Sequence, residues 1–308
     1  MFALREIAIS LTFFVLSYSC FSVIVVATWR GLKGLRISEK SLADILFLAR
    51  VLPMIAAVAI TCIFAVPSFE LLEPRGIEEE TGILPIAFGV AGILLIAFGC
   101  YRVFKAQTRT GKTVAKWLER GQPDRAGAYT VCSHHDVPPL ALVGLRTPRV
   151  LVSDLAVGLL TENEMGIALR HEKAHAGSRD NLKKLIAQFC SFPGMGQLET
   201  AWAEVAELAA DDAAVSNAND AVDMAAALVK LSRLVPVRSV PICIVGFVTG
   251  SVSFRVARLL KWDEAKKRGS PIPRWASISM LVPTVLVLVV TYGHALAITH
   301  DITELLVR

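Results

Sequence analysis

Four stretches of the chain hold apolar side chains without the periodic polar positions of an amphipathic element. Ile7–Trp29 (23 residues) and Gly82–Tyr101 (20) contain no charged residue, Ile45–Pro67 (23) contains only Arg50, and Trp275–Ile298 (24) is again uncharged. About 20 helical residues cross the ~30 Å hydrocarbon core of a bilayer, so each stretch predicts a transmembrane helix. The first outlasts the apolar core of a cleaved leader and ends in Trp29-Arg30 rather than small residues, which marks an uncleaved anchor. Arg50, near one end of its span, is expected to snorkel to the interface.

Between the third and fourth stretches the pattern changes. Arg102, Lys105, Arg109, Lys112 and Lys116 recur every three or four residues, which predicts a juxtamembrane helix with one positive face against anionic headgroups. Gly111-Lys112-Thr113 resembles the end of a phosphate-binding loop, but Ala106 stands where that loop needs glycine, so nucleotide binding is rejected. Short β-like runs follow at Ala128–Cys132, Leu140–Gly144 and Arg149–Val152, punctuated by Pro138-Pro139 and Thr147-Pro148. An exposed edge strand made of Leu140, Ala141, Leu142, Val143 and Gly144 is expected to pair with an extended substrate backbone. Thr161 and Glu164 form a capping box that opens a helix near Glu162. The uncharged stretches 185–197 and 239–254 are read as buried or interfacial rather than spanning.

The expected fold is therefore a mainly α membrane protein with four transmembrane helices and an α+β domain between the third and fourth. Residues 1–101 form the three-span region, 102–274 the domain, 275–298 the fourth span and 299–308 a short tail. Composition agrees: 54% of residues are hydrophobic and mean hydropathy is +0.55, while 19% are charged against roughly 25% in soluble domains. Arg30, Lys33, Arg36 and Lys40 follow the first span, whereas Arg75 alone stands among five glutamates after the second. The positive-inside rule then puts the N-terminus and the tail outside and the 102–274 domain in the cytoplasm. A net charge of +5 borne mostly on that side calls for no nucleic-acid partner.

Chemistry concentrates in His171-Glu172-Lys173-Ala174-His175. Helical positions i and i+4 share a face, so both imidazoles can reach one metal ion while Glu172 flanks its open side. Catalytic zinc usually takes three protein ligands. Glu207 and Asp211, four apart in an Ala-rich helical stretch, supply a third ligand and a carboxylate to orient a liganding imidazole. The bland alternative for that pair is an acidic solvent face. His134 and His135 are read as loop or structural residues. The six cysteines lack metal-ligand spacing, so the metal set is His and Glu, which points to a catalytic Zn²⁺, one per chain.

Pro139 to Gly144, Thr147 to Val152, His171 to His175 with Arg179-Asp180, Glu207 to Asp211 and Ser253 to Leu259 follow one another in an order that resembles the BlaR/MecR-type membrane metallopeptidases. That resemblance implies a gluzincin-like zinc domain in a bacterial inner membrane. His171, His175 and Glu207 would be the ligands, Glu172 the general base, and Asp180 a further carboxylate behind the ligands. It also implies a protein substrate, with a cytosolic transcriptional repressor as one candidate. The antibiotic sensors of that family carry a penicillin-binding domain after the last span; only ten residues follow here, so no direct β-lactam binding is expected.

The function expected is thus a membrane-embedded zinc endopeptidase in a regulatory pathway. An HtpX-like quality-control peptidase is disfavoured by the 31 residues between His175 and Glu207, too few for intervening spans. A silent scaffold would lack a ligand or the base, and all four residues are present.

Overall fold

The computed structural model describes residues 2–35, 37–73, 82–119, 121–123, 127–133, 137–234, 245–246, 251–262 and 290–305. The chain is mainly helical. Helix α1 (Phe2–Thr28) runs on as 3-10 turns through Gly34, and α2 (Glu39–Ile60) passes through one π segment, Thr61–Ala65, into α3 (Val66–Leu72). Helix α4 (Ile83–Leu118) is continuous over 36 residues. Phe2–Gly34, Glu39–Leu72 and Ile83–Leu118 are each long and apolar enough to cross a membrane. Their outer faces expose large apolar groups such as Leu48, Ile55, Leu94 and Phe98, as a lipid-facing surface requires. Gly89 and Gly92 let α4 lie close to α1: a Cβ on Gly89 would stand 3.3 Å from the Ala8 backbone.

The third span and the basic juxtamembrane segment are one rod of about 54 Å, well beyond the membrane's hydrocarbon thickness. Of the expected fourth span, residues 275–289 lie outside the described residues. Residues 290–305 are helical, so the helix does not stop at 298. It sits against the end of the second span, where Ser68 donates to the Leu296 carbonyl (3.2 Å) and Tyr292 to that of Ile63 (3.1 Å).

Beyond α4 come β1 (Gly121–Pro123), β2 (Thr130–Cys132), β3 (Leu140–Val143) and β4 (Arg149–Ser153), joined later by β5 (Val245–Gly246). The sheet order is β1-β2-β4-β3-β5; β2 and β4 are parallel and the other pairs antiparallel. The expected edge strand is therefore an interior one. Leu140 pairs with Val152 on one side, and Ala141 with Gly246 on the other. The reason lies in its composition: Leu140 to Val143 are four apolar residues in succession, the pattern of a strand covered on both faces. Leu140 and Leu142 enter the main core with Ile167, Met224 and Leu228, while Ala141 and Val143 pack with Trp117 at the foot of α4. Exposing such a side chain costs ~1.5–3 kcal/mol, so this run does not sit on a wet surface.

Among the described residues, six helices of the domain follow the first four strands: α5 (Asp154–Leu159), α6 (Glu162–Ser178), α7 (Asp180–Phe189), α8 (Gly196–Ala214), α9 (Ala218–Ser232) and α10 (Val252–Leu260). The turn between α7 and α8 packs its flanks on the spans and leaves Pro193 and Gly194 exposed. Tyr18 donates to the Ser191 carbonyl (3.1 Å) and meets Phe192 edge-on, and Gly99 leaves room for the Phe189 ring. Arg50 does not snorkel. It is 5% exposed and turns inward, donating to the carbonyls of Ala187 (3.0 Å) and Cys190, with Glu199 at 4.0 Å. The carbonyls at the end of a helix are short of partners, and a guanidinium satisfies two of them at once. Helix α8 then lies along α2, with Leu198, Ala201 and Trp202 packed on Leu42, Ala43 and Leu46.

Candidate metal centre

Helix α6 starts where the sequence predicts. The Glu164 amide donates to Thr161 Oγ1 (3.3 Å), and Glu164 Oε2 accepts from the Thr161 amide (2.8 Å). Lys230 of α9 adds a 2.7 Å ion pair to Glu164. Phasing from this cap puts Ile167, Ala168, His171 and His175 on the buried face. The helix ends at Arg179, whose φ of 56° and ψ of 39° are left-handed. A non-glycine residue accepts that conformation at roughly 1–2 kcal/mol. The reversal it produces starts α7 at once and carries Asp180 back to His175.

His171 Nε2 and His175 Nε2 lie 3.1 Å apart, and each is 3.6 Å from an oxygen of Glu207. The two 3.6 Å contacts use different oxygens, Oε2 toward His171 and Oε1 toward His175; a tetrahedral ion with ligand bonds of 2.0–2.2 Å has its ligand atoms about 3.4 Å apart, close to these separations. His171, His175 and Glu207 can hold a metal ion, and all three are buried. The rings are oriented from behind. Nδ1 of His175 is 2.6 Å from Asp180 Oδ2, and Nδ1 of His171 is 3.0 Å from Asp211 Oδ1. With the His175 Nδ1–H given to Asp180, its Nε2 lone pair faces the metal position, and Asp211 is the carboxylate placed to do the same for His171. Asn181, next to Asp180, donates to the carbonyls of Leu142 (3.0 Å) and Gly144 (3.2 Å) and so ties α7 to β3.

Glu172 is fully buried, and neither of its carboxylate oxygens has a hydrogen-bond partner among the described residues. An orphaned carboxylate is costly in a core and is explained by a polar occupant beside it, as a metal and its water would be. Burial, against the opposing charges of His175 and His171, holds its pKa above the usual carboxylate value. Burial also works against charge on His171, but hydrogen bonds to Asp211 and Glu207 outweigh it and lift that imidazole to about 9. Glu207 and Asp211 behave conversely. Burial raises each, yet the hydrogen bond with His171 and the charge of Arg255 bring both down to about 2.

Arg255 is the functional residue that spacing does not reveal. It lies on α10, 2% exposed, and its guanidinium contacts Glu207 and Asp211 together. One signal does mark it. Val252, Val256 and Leu259 recur on one face of α10 and pack on the core, and Arg255 stands on that same face. An arginine on an apolar face calls for a buried partner. Its neighbour Arg258 faces outward and binds Asp212 (2.7 Å) and Glu39 (3.7 Å).

All the residues expected at the metal come together here. The strand residues Leu140 to Gly144 lie near through α6 and Asn181, but as a paired interior strand. His134 and His135 lie outside the described residues. No protein-family model matches the chain, and no curated protein matches it.

Proposed function

We propose that the chain is a membrane-embedded zinc-dependent endopeptidase acting on cytosolic or membrane-associated proteins. The observation that carries the reading is the orphaned, buried Glu172 beside a metal-sized triangle of His171, His175 and Glu207. Two imidazoles and one carboxylate suit zinc, and three protein ligands leave a coordination position open, as catalytic rather than structural sites do. When bound, the ion supplies Lewis-acid chemistry, polarising a peptide carbonyl and acidifying water.

The residues of the chain do the rest. Glu172, held on the same helical turn as both ligands, takes the proton of the attacking water on a carboxylate oxygen and passes it to the leaving amine nitrogen. Its raised pKa favours holding that proton between the two events. Asp180 and Asp211 keep the imidazoles in one tautomer throughout. Exclusion of bulk water, with every one of these groups buried, strengthens each interaction. An extended substrate can reach β3 only where β5 gives way, since Val245 and Gly246 hold that side of the strand.

The charge pattern supports a domain facing the cytoplasm with the N-terminus outside, and the resemblance to the BlaR/MecR-type peptidases supports a bacterial inner membrane. A cytosolic transcriptional repressor is the substrate class we favour, which places the enzyme in a regulatory pathway. The test is to purify wild type and Glu172→Ala from the same cells, measure bound zinc, and compare cleavage of cytoplasmic proteins. Zinc in both with cleavage by wild type alone supports the proposal; absence of zinc from both overturns the ligand assignment.

A further inference from the structure

The guanidinium of Arg255 spans the third ligand and the carboxylate behind His171. Nη1 donates to Glu207 Oε2 at 2.9 Å, while Nε and Nη2 form a two-pronged pair with Asp211 Oδ2 (2.8 Å) and Oδ1 (2.6 Å). Asp211 Oδ1 in turn meets His171 Nδ1. One side chain from α10 thus governs two of the three ligands, one directly and one through Asp211.

Two consequences follow from the chemistry. A carboxylate can bind a metal through one oxygen or two. With two imidazoles already present, two-oxygen ligation by Glu207 would take the fourth tetrahedral position, so that water could join only as a fifth ligand on a more crowded ion. Both oxygens lie within reach of the metal position, Oε2 3.6 Å from His171 Nε2 and Oε1 3.6 Å from His175 Nε2, and the charge-assisted hydrogen bond from Arg255 competes for Oε2 alone, which leaves Oε1 as the freer donor. Charge gives the second consequence. Glu172, Glu207, Asp211 and Asp180 are four buried carboxylates, which a dication, Arg255 and Lys183, 3.9 Å from Asp180, together balance. Without Arg255 the occupied core would keep a net negative charge in a low-dielectric setting.

We infer that Arg255 is a positioning residue that commits Glu207 to one-oxygen ligation and thereby keeps a coordination position open. The inference rests on the metal reading above. Lysine in its place keeps the charge but has no fork, so it cannot hold Asp211 at two points and reach Glu207 as well.

The test loads the purified full-length protein with Co²⁺ and records its visible d–d absorption, which reports coordination number without any turnover. Wild type should show the intense bands of a four-coordinate ion. Arg255→Lys and Arg255→Met should lose that intensity in favour of the weak bands of a higher-coordinate ion, while Arg258→Met, on the same helix but facing Asp212 and Glu39, should retain it. A wild-type spectrum in Arg255→Lys overturns the inference. So does an equal change in Arg258→Met, which would trace the effect to docking of α10. Failure of wild type to bind Co²⁺ and Zn²⁺ would instead sink the metal reading.

Discussion

Asp180 Oδ2 stands 2.6 Å from Nδ1 of His175, although the two residues lie on different helices. The left-handed turn at Arg179 creates this pair. Asp180→Asn keeps the shape but can present its amide N–H to Nδ1, which favours the tautomer that blocks Nε2. Zinc affinity, measured by competition with a chromogenic chelator, should fall about 10–100-fold. Unchanged affinity would remove Asp180 from the site.

Glu172→Gln should leave metal content intact and lower cleavage by about 10²–10⁴-fold. It should also raise the thermal midpoint of the metal-free protein, because an amide is cheaper to bury unpaired than a carboxylate. Calorimetry beside a cleavage assay separates the two effects, and a variant that loses zinc would contradict the assignment of Glu172 as base.

The metal-free protein should lose stability as pH rises from 6.5 to 9. His171 has a folded-state pKa lifted from 6.5 to about 9, so its contribution is complete below 6.5 and is lost as pH rises through 9. Metal binding displaces that proton, and the zinc-loaded protein should not follow the same decline. Thermal unfolding in detergent, with and without chelator, checks this; parallel curves would refute it.

Much of the centre was legible in the sequence because its parts obey local geometry. The capping box at Thr161 and Glu164 sets the phase of α6, and positions four apart bring His171 to His175 and Glu207 to Asp211. Arg255 escaped because it comes 48 residues after Glu207 on another helix, and no spacing rule links the two. Three of the four expected spans are legible from length and apolarity alone. The side chain of Arg50 is not legible, because a lone charge near a span's end reads as interfacial until the C-terminal end of α7 supplies its carbonyls. The strand at Leu140 was placed correctly in sequence but at the wrong position in the sheet: its unbroken apolar run signalled cover on both faces, and β5 comes from a stretch a hundred residues later.

Arg50→Leu should destabilise the protein by on the order of 3 kcal/mol, since the carbonyls of Ala187 and Cys190 lose a charged donor in a buried setting. Because Glu207 lies about three turns along α8 from its Gly196 end, the same variant should weaken zinc binding. A lower thermal midpoint together with lower zinc affinity is the expected result; a lower midpoint at full affinity would show that the turn is anchored independently of the centre.

Helix α4 has no break between its apolar half and Trp117, which is wedged against the sheet. Membranes of unequal thickness are accommodated by tilting such a rod, and a jointless rod swings its far end most. In a thinner or thicker bilayer the tilt of α4 would therefore be felt at the sheet that flanks α6, as the load on a lever is felt at its far arm.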